Sequence, residues 1–171
     1  GEPENDKYAY ALVRAKGRLA DSMRAAGDFS GAMNLYRNAL ELDLRLAERF
    51  PQNEDIETAV GVINDRIGRG LALRAAEIKD ENPQSPEIVI LLAEAIPRLE
   101  KMFEVFSRLS ARRPENKKYK RDLSTAYDNL GMALRLNGNS NESLRLLDKN
   151  LQTRRLVVKA DPADRESQGD L

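Results

Sequence analysis

Apolar residues recur every three or four positions along most of the chain, which is the period of an amphipathic α-helix. Near the start this spacing is shown by Tyr8, Leu12, Ala15, Leu19 and Met23. The Gly27-Asp28 pair that follows combines a helix-stopping residue with a capping carboxylate. The same period then resumes and continues to the next proline, which disfavours helix in the residue before it. The pattern therefore predicts two helices joined by a tight turn.

The rest of the chain follows a similar plan, and no segment has the sustained alternation of a β-strand. In the middle third of the chain, Ala75 occupies the position that corresponds to the turn glycines Gly27 and Gly138, so the helix there should continue beyond it. Ser85-Pro86 should cap and start the next helix, and Pro97 should bend it. The predicted helices span residues 6–26, 29–49, 54–79, 86–112, 117–137 and 140–160.

The helix pairs form a sequence repeat. A shift of 111 residues places Pro3-Glu4-Asn5 on Pro114-Glu115-Asn116 and Gly27 on Gly138 without a gap. A chance similarity of two amphipathic helices would not concentrate matches at turn residues. A middle copy begins at Pro51. The predicted units are 3–50, 51–113 and 114–161, with an insertion at about 72–97 and a partial fourth unit at 162–171.

We interpret residues 1–171 as one domain. Because the chain starts at Gly1 and ends inside a unit, we expect a fragment of a larger protein. The longest apolar stretches, such as residues 88–93, are far shorter than the roughly 20 residues of a membrane span, so no transmembrane helix is expected. The absence of cysteine fits cytoplasm or periplasm, and we favour the cytoplasm.

The composition excludes several functional classes. Lys and Arg number 28 and so do Asp and Glu, so no net charge favours nucleic acid or an anionic membrane. There is no Cys, His or Trp, which removes thiol nucleophiles, imidazole bases and the usual zinc ligands. We expect no catalytic residues, no metal site and no cofactor. A carboxylate pair acting as acid and base remains as a minor alternative.

The repeat resembles the tetratricopeptide helix-turn-helix unit, particularly the long variants found in arrays of bacterial multidomain signalling proteins. This resemblance implies an all-α, right-handed α-solenoid of three helix pairs, with first helices on the concave face and second helices on the convex face. It also implies protein or peptide binding and no catalysis. The residues that carry it are Leu130-Gly131, Leu134, Gly138-Asn139, Leu147 and Leu151 in the third unit, and Gly27-Asp28, Ala32, Tyr36, Ala39 and Leu40 in the first.

The helical period also predicts which first-helix residues line the groove. Six arginines and three aspartates are among them, and the arginine fork suits an acidic segment or a terminal carboxylate. The alternative is a solvated face with local ion pairs such as Asp65 with Arg69. The predicted groove residues are Arg14, Arg18, Asp21, Arg24, Asp65, Arg66, Arg69, Thr125, Asp128, Asn129, Met132 and Arg135.

A second functional hypothesis is a structural spacer or oligomerisation module of a multidomain bacterial signalling protein. The terminal repeats lack neighbours, so we expect self-association through the repeat ends. The apolar run 88–92 should either join such a contact or fold onto its own unit.

Three further sequence features lead to expectations about packing. Tyr8 and Tyr119 occur in register and should lie in the core. Gly68 should allow close helix packing. Gly61 and Gly70 either allow a ligand backbone to approach or are simply tolerated in the helix.

Overall fold

The computed structural model describes residues 3–160, and the side chains of residues 8–155. The partial fourth unit predicted at 162–171 lies outside these residues. Over the described range the chain is all α-helical, as predicted. The six helices are α1 (Pro3–Ala25), α2 (Phe29–Arg49), α3 (Glu54–Glu81), α4 (Pro86–Arg112), α5 (Lys117–Leu136) and α6 (Ser140–Ala160).

The turns after α1 and α5 close on glycine. Gly27 has φ of 90° and Gly138 has φ of 87°, in the left-handed region that side chains with a Cβ avoid. The next amide then reaches back into the helix, since Asp28 N–H donates to Met23 at 2.9 Å and Asn139 N–H to Leu134 at 2.8 Å. The predicted glycine turns are therefore confirmed.

Side-chain caps fix where α3, α4 and α5 begin. The predicted Ser85 cap is present, with its hydroxyl accepting from the amide of Glu87. Asn53 and Asn116 cap α3 and α5 through their side-chain oxygens. Each lies two residues after the proline that starts its unit. The proline-to-asparagine spacing that aligns the repeats therefore also marks where the first helix of each of these two units starts.

The helices pack as three pairs in series, which is the arrangement of an α-solenoid. Each helix packs against the next, and α3 also packs against α5. Pairing is antiparallel: Glu54 at the start of α3 meets Arg113 just after α4, at 3.1 Å. One continuous apolar core runs between the layers, with Tyr36, Phe106, Met33, Ile67, Leu92 and Leu99 among its largest fully buried side chains. The right-handed twist stays a prediction.

The middle pair is the longest, with 28 residues in α3 and 27 in α4. α4 continues through Pro97. The run 88–92 folds partly onto its own pair, because Ile88 and Leu92 are buried whereas Val89 and Ile90 remain exposed.

The three glycines of α3 are explained by helix packing. A Cβ on Gly68 would lie 2.7 Å from Leu99 of α4, so the predicted close approach is confirmed. A Cβ on Gly61 would lie 2.9 Å from Phe106, and one on Gly70 would lie 3.0 Å from Met33 of α2. The expectation for Gly61 is therefore wrong, because Val105 and Phe106 of α4 occupy the space beside it. Gly70 also borders an opening between α1 and α3, so whether a ligand approaches it stays a prediction.

The predicted core of α1 needs a correction. Tyr8, Leu12 and Leu19 are 67%, 50% and 56% exposed, whereas the equivalent Ile56 and Tyr119 of the later units are buried. The register is right, but the stripe on α1 faces the side where a preceding helix pair would stack. α3 and α5 have such a pair and α1 has none within the described residues.

Candidate functional site

The predicted groove residues lie on a surface formed by the first helices of the three pairs, which we call the α1–α3–α5 face. α1 approaches α3 at Gly17, where an added Cβ would meet Arg66 at 2.8 Å. Asp21 and Arg66 form an ion pair across this contact at 2.9 Å. Between α3 and α5, Asn129 donates to Asp65 at 2.7 Å. Polar bonds between first helices therefore run along the face.

These bonds engage part of the predicted set within the protein. Burial raises the pKa of Asp65, while Arg69 and the bond from Asn129 act in the opposite direction. Asp128 binds Arg154 of α6 at 2.6 Å. Among the described residues Asp65 and Arg69 form no salt bridge within 4.0 Å, so the local ion pair considered as the alternative is not made. The side chains that bond to a neighbouring helix hold the helices together, and they are therefore less available to a ligand.

The other arginines of the set are available. Within the described part of the chain no salt bridge involves Arg14, Arg18, Arg24, Arg69 or Arg135. Arg14 lies over the ring of Tyr10 at 5.9 Å. Thr125 donates to the backbone of its own helix, and Met132 is half-buried. Four of these five arginines, all except Arg135, lie on α1 and α3.

Two cavities open between α1 and α3, on either side of the Asp21–Arg66 ion pair. The first, which we call the Asp43 cavity, has a volume of about 390 Å³ and is lined by Tyr10, Val13, Arg14, Arg18, Asp43, Asp55, Thr58, Ala59, Val62, Ile63 and Arg66. The second, the Arg69 cavity, has a volume of about 310 Å³ and is lined by Asp21, Arg24, Tyr36, Val62, Asp65, Arg66, Arg69, Gly70 and Leu73. All seven of the predicted residues of α1 and α3 therefore line one of these two cavities.

A third cavity of about 410 Å³ lies where α2, α3 and α4 meet, away from the predicted groove residues. Its cations Arg108 and Arg112 both pair with Glu57 of α3. Because these charges are already neutralised within the protein, this cavity is a weaker candidate than the two between α1 and α3.

Asp43 is the residue of the site that the sequence analysis missed. Its side chain is fully buried, and neither carboxylate oxygen has a hydrogen-bond partner. Burial raises its pKa to about 7. The sequence did carry a signal, because Asp43 interrupts the apolar face of α2. It also lies eight residues before the proline that starts the next unit, as do Phe106 and Arg154.

The residues equivalent to Asp43 in the other two units, Phe106 and Arg154, have different roles. Phe106 is buried and fills the space beside Gly61. Arg154 reaches Asp128 on the neighbouring helix. Of these three equivalent positions, only that of the first unit has an unpaired carboxyl group, and this group lines the Asp43 cavity.

No cluster of three or more acidic, histidine or cysteine side chains suited to a metal ion occurs in the part of the chain that the structure describes. None of the helices in that part is long and apolar enough to cross a membrane. The candidate site consists of two cavities between α1 and α3, lined by guanidinium groups and by one carboxyl group without a hydrogen-bond partner.

Comparison with known sequences bears on this architecture. Residues 123–164 match the tetratricopeptide repeat family, and this segment begins within α5 and includes α6. The chain carries a tetratricopeptide-like repeat. The first two pairs have the same helix-turn-helix plan, although the match covers the third. Tetratricopeptide repeats are generally non-catalytic and typically act in protein–protein interaction. No curated protein matches the chain.

Proposed function

We propose that this tetratricopeptide-like array is a non-catalytic scaffold that binds an acidic protein segment along the α1–α3–α5 face. The observation that carries the proposal is the group of arginines at the α1–α3 end, which line the cavities without a salt bridge inside the described structure. Arginine presents a planar fork that matches a carboxylate in two parallel hydrogen bonds. An acidic side chain placed between α1 and α3 would meet such forks from both helices.

Charge reversal tests this binding mode. The variant Arg18→Glu with Arg69→Glu changes one cation in each cavity and leaves the Asp21–Arg66 contact intact. Reversing Arg66 itself would disturb the packing of α1 on α3. A matched control reverses two exposed cations of α6, Arg145→Glu with Lys149→Glu, and so has the same net charge.

Binding of an end-capped fluorescent peptide rich in glutamate is followed by anisotropy at two salt concentrations. We expect the groove variant to lose affinity at least tenfold and the control less than twofold, with weaker binding at higher salt. Equal losses in both variants would show that only the overall charge matters, which contradicts a specific groove.

A second function, self-association through the repeat ends, is favoured by a separate observation. α1 exposes Tyr8, Leu12 and Leu19, and α6 exposes Leu144 and Leu147. Within the chain, α2 packs against α3 and α4 packs against α5. We infer that α6 of a second copy would cover α1 in the same way and continue the stack.

Sedimentation at micromolar concentration measures this association. Leu12→Asp with Leu144→Asp should convert an associated species to a monomer while the helical circular dichroism is kept, because both side chains are solvent-exposed in one copy. A wild-type chain that is strictly monomeric at these concentrations would refute the inference.

A further inference from the structure

Three buried side-chain oxygens of residues that line the Asp43 cavity have no hydrogen-bond partner. They are the two carboxylate oxygens of Asp43 and the hydroxyl oxygen of Thr58, all buried. Both residues line the same cavity between α1, α2 and α3. Buried polar atoms are nearly always hydrogen-bonded, because leaving them unpaired costs free energy. Three unpaired atoms beside one opening therefore point to a ligand that supplies donors.

We propose that the Asp43 cavity binds the ammonium group of a lysine side chain carried by the bound protein segment. An ammonium group has three donors and no acceptor, which matches the three free oxygens. The guanidinium group of arginine has five donors, so two would remain unpaired there. This inference rests on the proposed function, since it names the side chain that the segment would insert.

The walls of the cavity suit the rest of a lysine side chain. Part of the cavity lining is apolar and consists of Val13 of α1 and of Ala59, Val62 and Ile63 of α3. Lysine typically packs its methylene stem on such surface while its charge reaches polar groups. The cavity volume of about 390 Å³ leaves room for this stem.

The charges around the opening define the sequence context of that lysine. Arg14, Arg18 and Arg66 line the cavity, and Asp55 adds one carboxylate to that of Asp43. The three guanidinium groups weaken the binding of an isolated cation, which should therefore occupy the cavity only at high concentration. A lysine flanked by acidic residues avoids this repulsion, because the flanking carboxylates pair with the free arginines while the ammonium group pairs with Asp43.

The test uses end-capped acidic peptides that differ only at one central position, which is lysine, norleucine or arginine. Norleucine keeps the apolar stem and removes the ammonium group. Binding is measured by calorimetry to the wild-type chain, to Asp43→Asn and to Thr58→Val, two near-isosteric variants. Glu115→Gln, which removes an exposed carboxylate outside both cavities, is the matched control.

We expect the lysine peptide to bind wild-type protein about tenfold more tightly than the norleucine peptide, since a hydrogen-bonded charge pair is made. This preference should disappear in Asp43→Asn, fall in Thr58→Val and persist in Glu115→Gln. The arginine peptide should bind more weakly than the lysine peptide. Equal affinities for lysine and norleucine peptides, or a lysine preference that survives in Asp43→Asn, would overturn the proposal.

A second probe separates this proposal from the proposed function. Butylammonium, which is the lysine side chain without its peptide, should shift the methyl resonances of Val13, Val62 and Ile63 in wild type and not in Asp43→Asn. If these shifts occur and no acidic peptide binds, the cavity assignment stands and the acidic-segment proposal fails. If the peptides bind without a lysine preference and butylammonium causes no shift, the cavity assignment fails alone.

Discussion

Tyr36 and Asp43 lie two turns apart on α2 and show how burial acts on a polar side chain at the scale of single residues. Tyr36 is buried, but its hydroxyl donates to Asp21 at 2.5 Å. Burial and this bond raise the pKa of Tyr36 to about 12, so it stays a neutral donor. Asp43 has no partner, and burial alone raises its pKa to about 7. Burial is therefore tolerated at Tyr36, which has a hydrogen-bond partner, and is unfavourable for the charged form of Asp43, which has none.

The raised pKa of Asp43 predicts a pH-dependent stability. The folded chain holds this proton up to about pH 7, whereas the unfolded chain releases it near pH ~4. Stability from this group is therefore present at low pH and is lost as pH rises through 7. Relative to wild type, Asp43→Asn should gain stability between pH 4.5 and 8. The gain has an upper limit of roughly 4 kcal/mol, because each pKa unit is worth about 1.4 kcal/mol.

Urea unfolding of both proteins at several pH values measures this difference, with Glu115→Gln as the control for losing an exposed carboxylate. A constant difference between wild type and Asp43→Asn across this range would show that the carboxyl group is not held neutral by burial.

The left-handed turn at Gly138 predicts a local cost of substitution. Gly138→Val should destabilise the fold by about 1–2 kcal/mol, because a side chain with a Cβ avoids positive φ. The neighbouring Asn137 has φ of −78°, so Asn137→Val carries no such strain. Thermal unfolding of the two variants should differ accordingly, and equal melting temperatures would argue against strain at this turn.

At the scale of helices, small residues decide how closely the pairs approach. Gly68 faces the Leu99 side chain and the Ala95 carbonyl oxygen of α4. The one close neighbour of a Cβ on Gly17 would be the end of the Arg66 side chain, with Ile63 at an ordinary contact distance of 3.7 Å. A Cβ at Gly68 would meet backbone that cannot move easily, and one at Gly17 would meet a flexible group. The same substitution should therefore have opposite effects at the two sites.

Gly68→Ala should lower the free energy of unfolding by about 1–2 kcal/mol, because overpacking outweighs the gain in helix propensity. Gly17→Ala should be neutral or stabilising by up to about 1 kcal/mol. Chemical denaturation gives both values. Destabilisation by Gly17→Ala as large as that by Gly68→Ala would mean that α1 sits as tightly on α3 as α3 does on α4.

At the scale of the whole molecule, α3 is the central element. It packs against α2, α4 and α5, whereas α6 packs chiefly against α5. In a linear array each unit is stabilised mainly by its neighbours, so local stability should fall towards the ends.

Hydrogen exchange under native conditions should report this gradient. Amides in the middle of α3 should exchange slowest and those of α6 among the fastest, because opening α6 breaks contacts with one helix. Uniform protection from α1 to α6 would indicate a single cooperative unit and contradict a gradient.

The sequence by itself determined the helices, their turns and their repeat. Gly27, Gly138 and the unit-boundary prolines act through local backbone preferences, and the period of the apolar residues follows from helix geometry. These features depend on neighbours in the chain, so they can be derived without a tertiary structure. The same period also predicted the charged residues of α1 and α3 that line the two cavities.

Only the tertiary structure decided which of these side chains are buried and which are paired with a neighbouring helix. Leu12 and its equivalent Val60 have the same pattern, yet only Val60 has a neighbouring pair to bury it. Likewise, Asp21 and Asp65 bond to adjacent helices, whereas Asp43 is buried with no partner at all. Burial and pairing depend on atoms that are distant in sequence, and the helical period fixes the direction of a side chain but not what it meets.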